Sequence, residues 1–263
     1  MKSQQHVNSY YANSIKDETD YPVLEQELTT DICIVGGGFS GVSAGLHLSE
    51  LGYKVVIVEA NKIGWGATGR NGGEIIGGFS GDAIMQKKYD TKYTDMVWNM
   101  RWEGNDIIRK RVEKYNIDCD LKWGYLDVAI KKRHIQDLKF SYEDMQNHNY
   151  PHQISLLTGD ETKNLIGTNE YIGSLLNMGN GHVHSLNLCI GEAKAAESLG
   201  TLIYEKSPVV RIEKNNKPKV YTSKGSVSAN SLLLTGNAYH HFDKKMQNFI
   251  TVSYTHLTLP TKA

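Results

Sequence analysis

Three glycines, Gly36, Gly38 and Gly41, stand in the spacing G-x-G-x-x-G, and an acid, Glu59, falls 18 residues beyond the last of them. This set of residues can hold a dinucleotide. The first glycine makes a tight turn, the second lets a pyrophosphate approach the backbone, and the third lets a helix pack closely on a sheet. The acid accepts hydrogen bonds from the hydroxyls of an adenosine ribose. An acid at this place repels a 2′-phosphate, which disfavours NADP and leaves NAD and FAD open.

The flanking residues predict the elements that position this device. Ile32-Cys33-Ile34-Val35 is short, apolar and β-branched, as a parallel strand buried on both faces must be. A helix is expected to run to about Leu51 and stop at Gly52, with Val55 to Val58 as the next strand. The glycine-dense segment from Ala60 to Gly81 follows at once. Backbone carrying Gly64, Gly66, Gly69, Gly72 and Gly73 can lie along phosphates and a flat ring, which tips the choice toward FAD. A plain surface loop is the alternative reading of this segment.

Composition narrows the function classes. The chain has 263 residues, with 29 acidic and 29 basic side chains and no net charge, which argues against a polyanion-binding surface. No run approaches the length of a membrane span. The polar N-terminus lacks the apolar core of a signal peptide. Three scattered cysteines, Cys33, Cys119 and Cys189, fit a reducing cytoplasm better than a disulfide framework. The H-x-H of His182 and His184 and the pair His240-His241 lack the acids or thiols that would complete a metal site, so no metal is expected.

Further along, Asp82 to about Tyr115 reads as helix, with Tyr93, Val97, Met100, Ile108, Val112 and Tyr115 on its apolar face and Trp98 and Trp102 available for packing or a domain contact. Cys119 to Ile130 reads as strand with a bend at Gly124, and Lys132 to Asn147 as helix. Gln153 to Leu157 is the next strand. Asp160 is expected to cap a short helix over Glu161 to Ile166, followed by a strand near Tyr171 to Met178. Leu186 to Leu199 reads as a helix with Leu186, Cys189, Ile190, Ala193 and Ala196 on one side and Gly200 as its stop. Strands over 202–204, 209–213, 219–222 and 226–234 then form a β-meander in part. The expected fold class is α/β, a Rossmann-like FAD-binding domain with a parallel sheet and β-meander and an inserted α+β substrate domain. The expected division is a lead-in over 1–30, FAD-binding parts over 31–85 and 181–250, and a helical and substrate-domain part over 86–180.

The stretch GGGFSGVSAGLHLSELGYKVVIVEA followed by GWGATGRNGG resembles the FAD-dependent amino acid and amine oxidases of the D-amino-acid-oxidase superfamily. Within it, SYYANS, LEQELTTDICIVGGG, GHVHSLNLCIGEAKAAESLGTLIYEKSPVVRIE and LLLTGNAY, in that order, resemble the γ-glutamylputrescine oxidoreductase group. The likeness runs from about Ser9 to about Tyr239. It implies FAD as cofactor, with Gly36, Gly38, Phe39, Ser40 and Gly41 at the pyrophosphate and Glu59 and Ala60 at the ribose. It further implies Arg70, Asn71, Gly72 and Gly73 beside the pyrophosphate and flavin, Val210 at the adenine edge through backbone groups, and Thr235-Gly236 as a second flavoprotein turn. Ser185 departs from the group, whose members commonly carry proline after the second histidine of G-H-x-H.

The implied reaction is oxidation of a small-molecule amine, with the substrate C–H held about 3–3.5 Å from flavin N5, the imine hydrolysed and O2 reduced to hydrogen peroxide. Sarcosine, glycine and D-amino acid oxidation stay open as alternatives, as does an NAD-linked dehydrogenase, against which the glycine-rich GWGATGRNGG speaks. Arg70 reads as a charge beside reduced flavin or as a phosphate or interdomain partner. His184 reads as an acid–base group or as a cap or packing residue, and His182, Tyr125 and Trp123 as candidate cavity walls. No catalytic residue is assigned. Family members continue well beyond this chain, whereas residues 252–263, VSYTHLTLPTKA, look like translated adapter sequence. The expectation is a fragment with a non-native tail over 251–263, with weak or no FAD retention and aggregation through uncovered edges, and an inactive truncated polypeptide stays open as a further alternative.

Overall fold

The structure is a computed structural model that describes residues 4–78 and 91–239, with the side chains of 91–94 left aside. The expected helix start over 82–90, the side chain of Tyr93, His240, His241 and the tail over 251–263 lie outside the described residues. Two compact units are formed, Met1–Asn71 with Ser185–Ala263, and Gly72–His184.

In chain order the elements are helix α1 (Tyr10–Asn13), strand β1 (Glu27–Val35), helix α2 (Phe39–Glu50), β2 (Val55–Val58) and β3 (Glu74–Ile75). There follow α3 (Thr91–Lys114), β4 (Lys122–Ala129), α4 (Lys132–Asn147), β5 (Ile154–Thr158), α5 (Gly159–Ile166) and β6 (Gly173–His182). The chain then makes α6 (Ser185–Ser198), β7 (Leu202–Tyr204), β8 (Arg211–Glu213), β9 (Lys219–Tyr221) and β10 (Ser226–Leu234).

The first unit is built on a six-stranded sheet in the order β7-β2-β1-β10-β9-β8. Its first four strands are parallel, and the β10-β9-β8 end is an antiparallel meander. Strand β1 is central, with Ile32–Val35 in register with Val55–Val58 on one side and Ser231–Leu234 on the other. Alternation then sorts the side chains onto two faces. Ile34, Val55 and Ile57 join Val42 of α2 and Leu186, Cys189, Ile190 and Ala193 of α6 in one core. Cys33, Val35, Val56 and Val58 join Tyr204, Val220, Val227 and Ala229 in the other. Unbroken apolar runs in β1 and β2 are what burial on both faces demands. The expected face of α6 is buried throughout, and Leu188, Glu192 and Ala195 are buried with it.

The second unit is an antiparallel sheet organised by β6. Its first half pairs with both β4 and β5, and its second half with β4 and β3. Glycines make the close approaches possible: a Cβ on Gly181 would stand 2.1 Å from the Lys122 carbonyl oxygen. The bend expected at Gly124 is present, with φ +120° and a register shift between Trp123 and Tyr125.

Three local expectations are corrected. Met100 faces solvent, while Val97, Trp98, Trp102 and Asn105 are buried, so the apolar stripe of α3 is rotated toward the two tryptophans. Large rings bury more area than a thioether, and Asn105 is drawn in because its amide donates to Gly179 O at 3.0 Å. The cap of α5 is Thr158 rather than Asp160, because Thr158 and Glu161 complete a reciprocal capping box. Strand β6 runs on to His182, beyond the expected end at Met178, since its glycines keep pairing with β4 and β3.

Gly77 lies flat on an indole: a Cβ there would stand 2.0 Å from Trp102 Cε3. Gly77→Ala is expected to destabilise the chain by about 1–3 kcal/mol through overpacking, read as a lowered urea midpoint.

Candidate dinucleotide site

Parallel pairing of β1 with β2 and β10 brings the carboxyl ends of three strands to one edge, the place where α/β sheets bind ligands. The glycine turn leaves β1 there. Gly36 has φ +118°, a conformation that side chains rarely adopt. A Cβ on Gly41 would stand 1.9 Å from the Gly36 carbonyl oxygen, so α2 can reach the strand end only without one. Helix α2 starts from Gly38, which has no side chain to cap it. The Phe39 N–H donates to Thr68 Oγ1 at 3.0 Å, and the first-turn amides of Ser40 and Gly41 have no carbonyl one turn earlier. This end carries the positive pole of the helix, which suits a phosphate.

Glu59 ends β2 opposite this turn. Its Oε2 accepts from the Gly37 N–H at 2.6 Å and its Oε1 from the Asn61 N–H at 2.8 Å. Burial pushes its carboxyl above the usual carboxylate value, and the Gly37 and Asn61 amides pull it back. A carboxylate offers about four acceptor positions, so with the Gly37, Asn61 and Ala60 amides on it Glu59 keeps capacity for a ribose hydroxyl. Ala60 follows it, half-buried.

Strand β10 completes the turn. The Thr235 N–H donates to Val35 O at 2.9 Å, and its Oγ1 contacts Val35 O and Gly36 O at 3.0 and 3.1 Å. Gly36 and Thr235-Gly236 therefore meet, although 199 residues separate Gly36 from Thr235. Beneath the turn, burial pushes the Cys189 thiol well up, so it stays an S–H donor, 3.8 Å from Gly37 O.

The glycine-rich segment is ordered by its own side chains. Arg70 stacks 4.3 Å over the Trp65 ring and donates from Nε to Trp65 O, while Tyr239 meets the same ring edge-on at 5.7 Å. Asn71 donates to Ala67 O and Thr68 O and accepts from Ser185 Oγ at 2.6 Å. Gly72 and Gly73, with φ +78° at Gly73, begin the second unit. Val210 is exposed at the start of the meander, and its N–H is engaged by Tyr221 O at 2.8 Å. His184 is buried, with its N–H on Cys119 O.

Residues 31–263 match the model of the family described as DAO, FAD dependent oxidoreductase. The chain belongs to this family. It is 39% identical over 236 residues to gamma-glutamylputrescine oxidoreductase of Escherichia coli (strain K12), covering 89% of this chain and 55% of that protein. It is 40% identical over 239 residues to probable oxidoreductase OrdL of Haemophilus influenzae, covering 90% of this chain and 55% of that protein. The FAD dependent oxidoreductase chain thus spans about half the length of these curated relatives. Its structure matches the crystal structure of glycine oxidase from Geobacillus kaustophilus with a TM-score of 0.62 at 23% identity, covering 81% of this chain and 56% of that one; this likeness is one of fold.

The family's cofactor is FAD, and the residues present fit its ADP half: a glycine turn closed to any Cβ, an uncapped helix end and an acid with acceptor capacity to spare. Sequence reasoning missed Thr68, which braces the helix start, and the buried pair Lys62–Glu205 behind Glu59. Glu205 directly follows an apolar strand, as Glu59 does, and that parallel was the available signal.

Gly41→Ala is expected to cost about 3 kcal/mol of stability, the upper part of the overpacking range, because backbone faces the new methyl group. A thermal melt of the flavin-free chain checks it.

Proposed function

We propose that this chain is the cofactor-binding part of an amine oxidoreductase that acts on a γ-glutamylputrescine-like substrate, with O2 as the electron acceptor and hydrogen peroxide as product. The observation that carries the reading is the glycine turn set against Glu59, and the identity to the Escherichia coli enzyme supports the substrate class. When bound, FAD supplies a hydride acceptor at N5, so that an amine C–H can be oxidised to an imine that water hydrolyses.

The chain's own residues hold and shape. The amides at Gly38, Ser40 and Gly41 receive pyrophosphate oxygens, with Phe39 held at the helix start by Thr68 and Gly36 setting the turn. Glu59 takes the ribose diol, and Ala60 adds backbone beside it. Arg70, its plane pinned on Trp65, brings positive charge to the phosphate and flavin side together with Asn71, Gly72 and Gly73. Val210 borders the adenine, and Thr235-Gly236 closes the turn. Beyond Gly73, the second unit is assigned to the substrate, and the first unit to the cofactor. Three reduced, buried cysteines support a cytoplasmic setting.

Titration of the full chain with FAD, followed by quenching of flavin fluorescence, is expected to saturate, with ADP competing and NADP failing to compete. Absence of saturable binding, or preference for NADH over FAD, would refute the reading. Wild type should prefer ADP to 2′-deoxy-ADP by about tenfold or more, the worth of a hydrogen bond to a charged group, and Glu59→Gln should erase most of that preference.

A further inference from the structure

Glu205 is fully buried, and donors reach it from two other parts of the chain. Its Oε1 accepts from Thr19 Oγ1 at 2.6 Å and from the Ile63 N–H at 2.8 Å. Its Oε2 accepts from the Tyr21 N–H at 3.3 Å and pairs with Lys62 Nζ at 2.8 Å. Lys62 is itself buried and also donates to Thr19 O. A charge in such a place is tolerable only while it is paired and hydrogen-bonded.

These bonds form one continuous path. Thr19 and Tyr21 belong to the segment leading into β1, and this segment is held further by Leu24 N–H on Ser207 Oγ and Glu205 N–H on Pro22 O. Residues 204–207 in turn hold the segment that begins with Glu59. The Glu59 N–H donates to Tyr204 O, the Lys206 N–H to Asn61 O and the Ser207 N–H to Glu59 O, each within 2.9 Å. That segment reaches the glycine turn through Glu59 on the Gly37 N–H and through the Gly64 N–H on Gly37 O at 2.8 Å. From Thr19 to Gly37 the path alternates hydrogen bonds with short runs of backbone, Tyr204–Ser207 and Glu59–Gly64.

We infer that Glu205 is a positioning residue for the nucleotide site: through its bonds to Thr19, Tyr21, Lys62 and Ile63 it makes the Thr19–Leu24 segment a strap that holds Glu59–Ile63 in binding geometry. The inference rests on the cofactor reading for its consequence, and on the hydrogen-bond path for its mechanics. Detaching the strap takes the Thr19 and Tyr21 donors from Glu205 and the Thr19 carbonyl from Lys62, leaving a buried ion pair short of partners, so the Glu59–Ile63 segment is expected to loosen with it. A merely structural Glu205 would weaken the whole unit without linking these two segments.

The test is amide hydrogen exchange on the flavin-free full chain, paired with ADP titration. In Glu205→Ala, segments 19–24 and 59–63 are expected to exchange about a hundredfold faster, together, while the centre of β1 keeps its protection. ADP binding is expected to weaken about tenfold or more. The double variant Glu205→Gln with Lys62→Met removes both charges and should restore most of the protection and affinity. If Glu205→Ala fails to fold, Thr19→Val removes only the Thr19 Oγ1 bond and should still loosen both segments together. Loosening of 19–24 alone in Thr19→Val or Glu205→Ala, or an unrescued double variant, overturns the inference. Coupled loosening in a chain whose wild type binds no ADP would leave the strap standing and refute the cofactor reading instead.

Discussion

The approach of α2 to the end of β1 is the contact on which the first unit depends. Only hydrogen at position 41 allows the helix to come within reach of the Gly36 carbonyl, because a methyl group would sit 1.9 Å from that oxygen. This approach aims the uncapped helix end at the edge of the sheet. It also leaves room for Thr235 against Gly36, where β10 arrives from the far end of the chain. Widening the contact by one carbon would displace the helix, the turn and the strand end together, since packed interiors have few voids to absorb it.

A second constraint is electrostatic. Glu59 and Glu205 end neighbouring parallel strands β2 and β7, and each meets its buried position by collecting backbone amides. Glu59 uses backbone amides alone, those of Gly37, Asn61 and Ala60, and keeps some acceptor capacity. Glu205 uses two amides, a hydroxyl and a lysine. The difference in their partners separates a carboxylate able to meet a ligand from one occupied in holding the chain. Membership of the FAD dependent oxidoreductase family and the fit of the ADP-half geometry point the same way, although the chain spans about half of its curated relatives.

Much of this was legible before the fold was known. Ile32 to Val35, the glycine spacing, Gly52 and Val55 to Val58 lie within one local stretch whose order carries its own meaning, and the structure follows it closely. The stripe of α3 was misread at Met100 because several apolar residues on that helix compete for one buried face. The choice fell to what packs against the helix, and Gly77 offered room for the Trp102 ring. The α5 cap was misread by two residues because Thr158 and Asp160 are both good capping types, and only the reciprocal bond with Glu161 separates them.

The sequence by itself determined the turn, its helix, the acid and the family, because glycine conformation and strand burial are local demands that leave marks at fixed spacing. Only the tertiary structure decided that Thr235 closes the turn, that Cys189 lies under it, and that Glu205 joins Thr19 to Ile63. Those partners are 199, 152 and, for Glu205, 186 and 142 residues apart, and no spacing rule reaches so far. The physical reason is that a buried polar group must find whatever donor the fold brings to it, and which donor that is depends on how distant strands come to lie side by side.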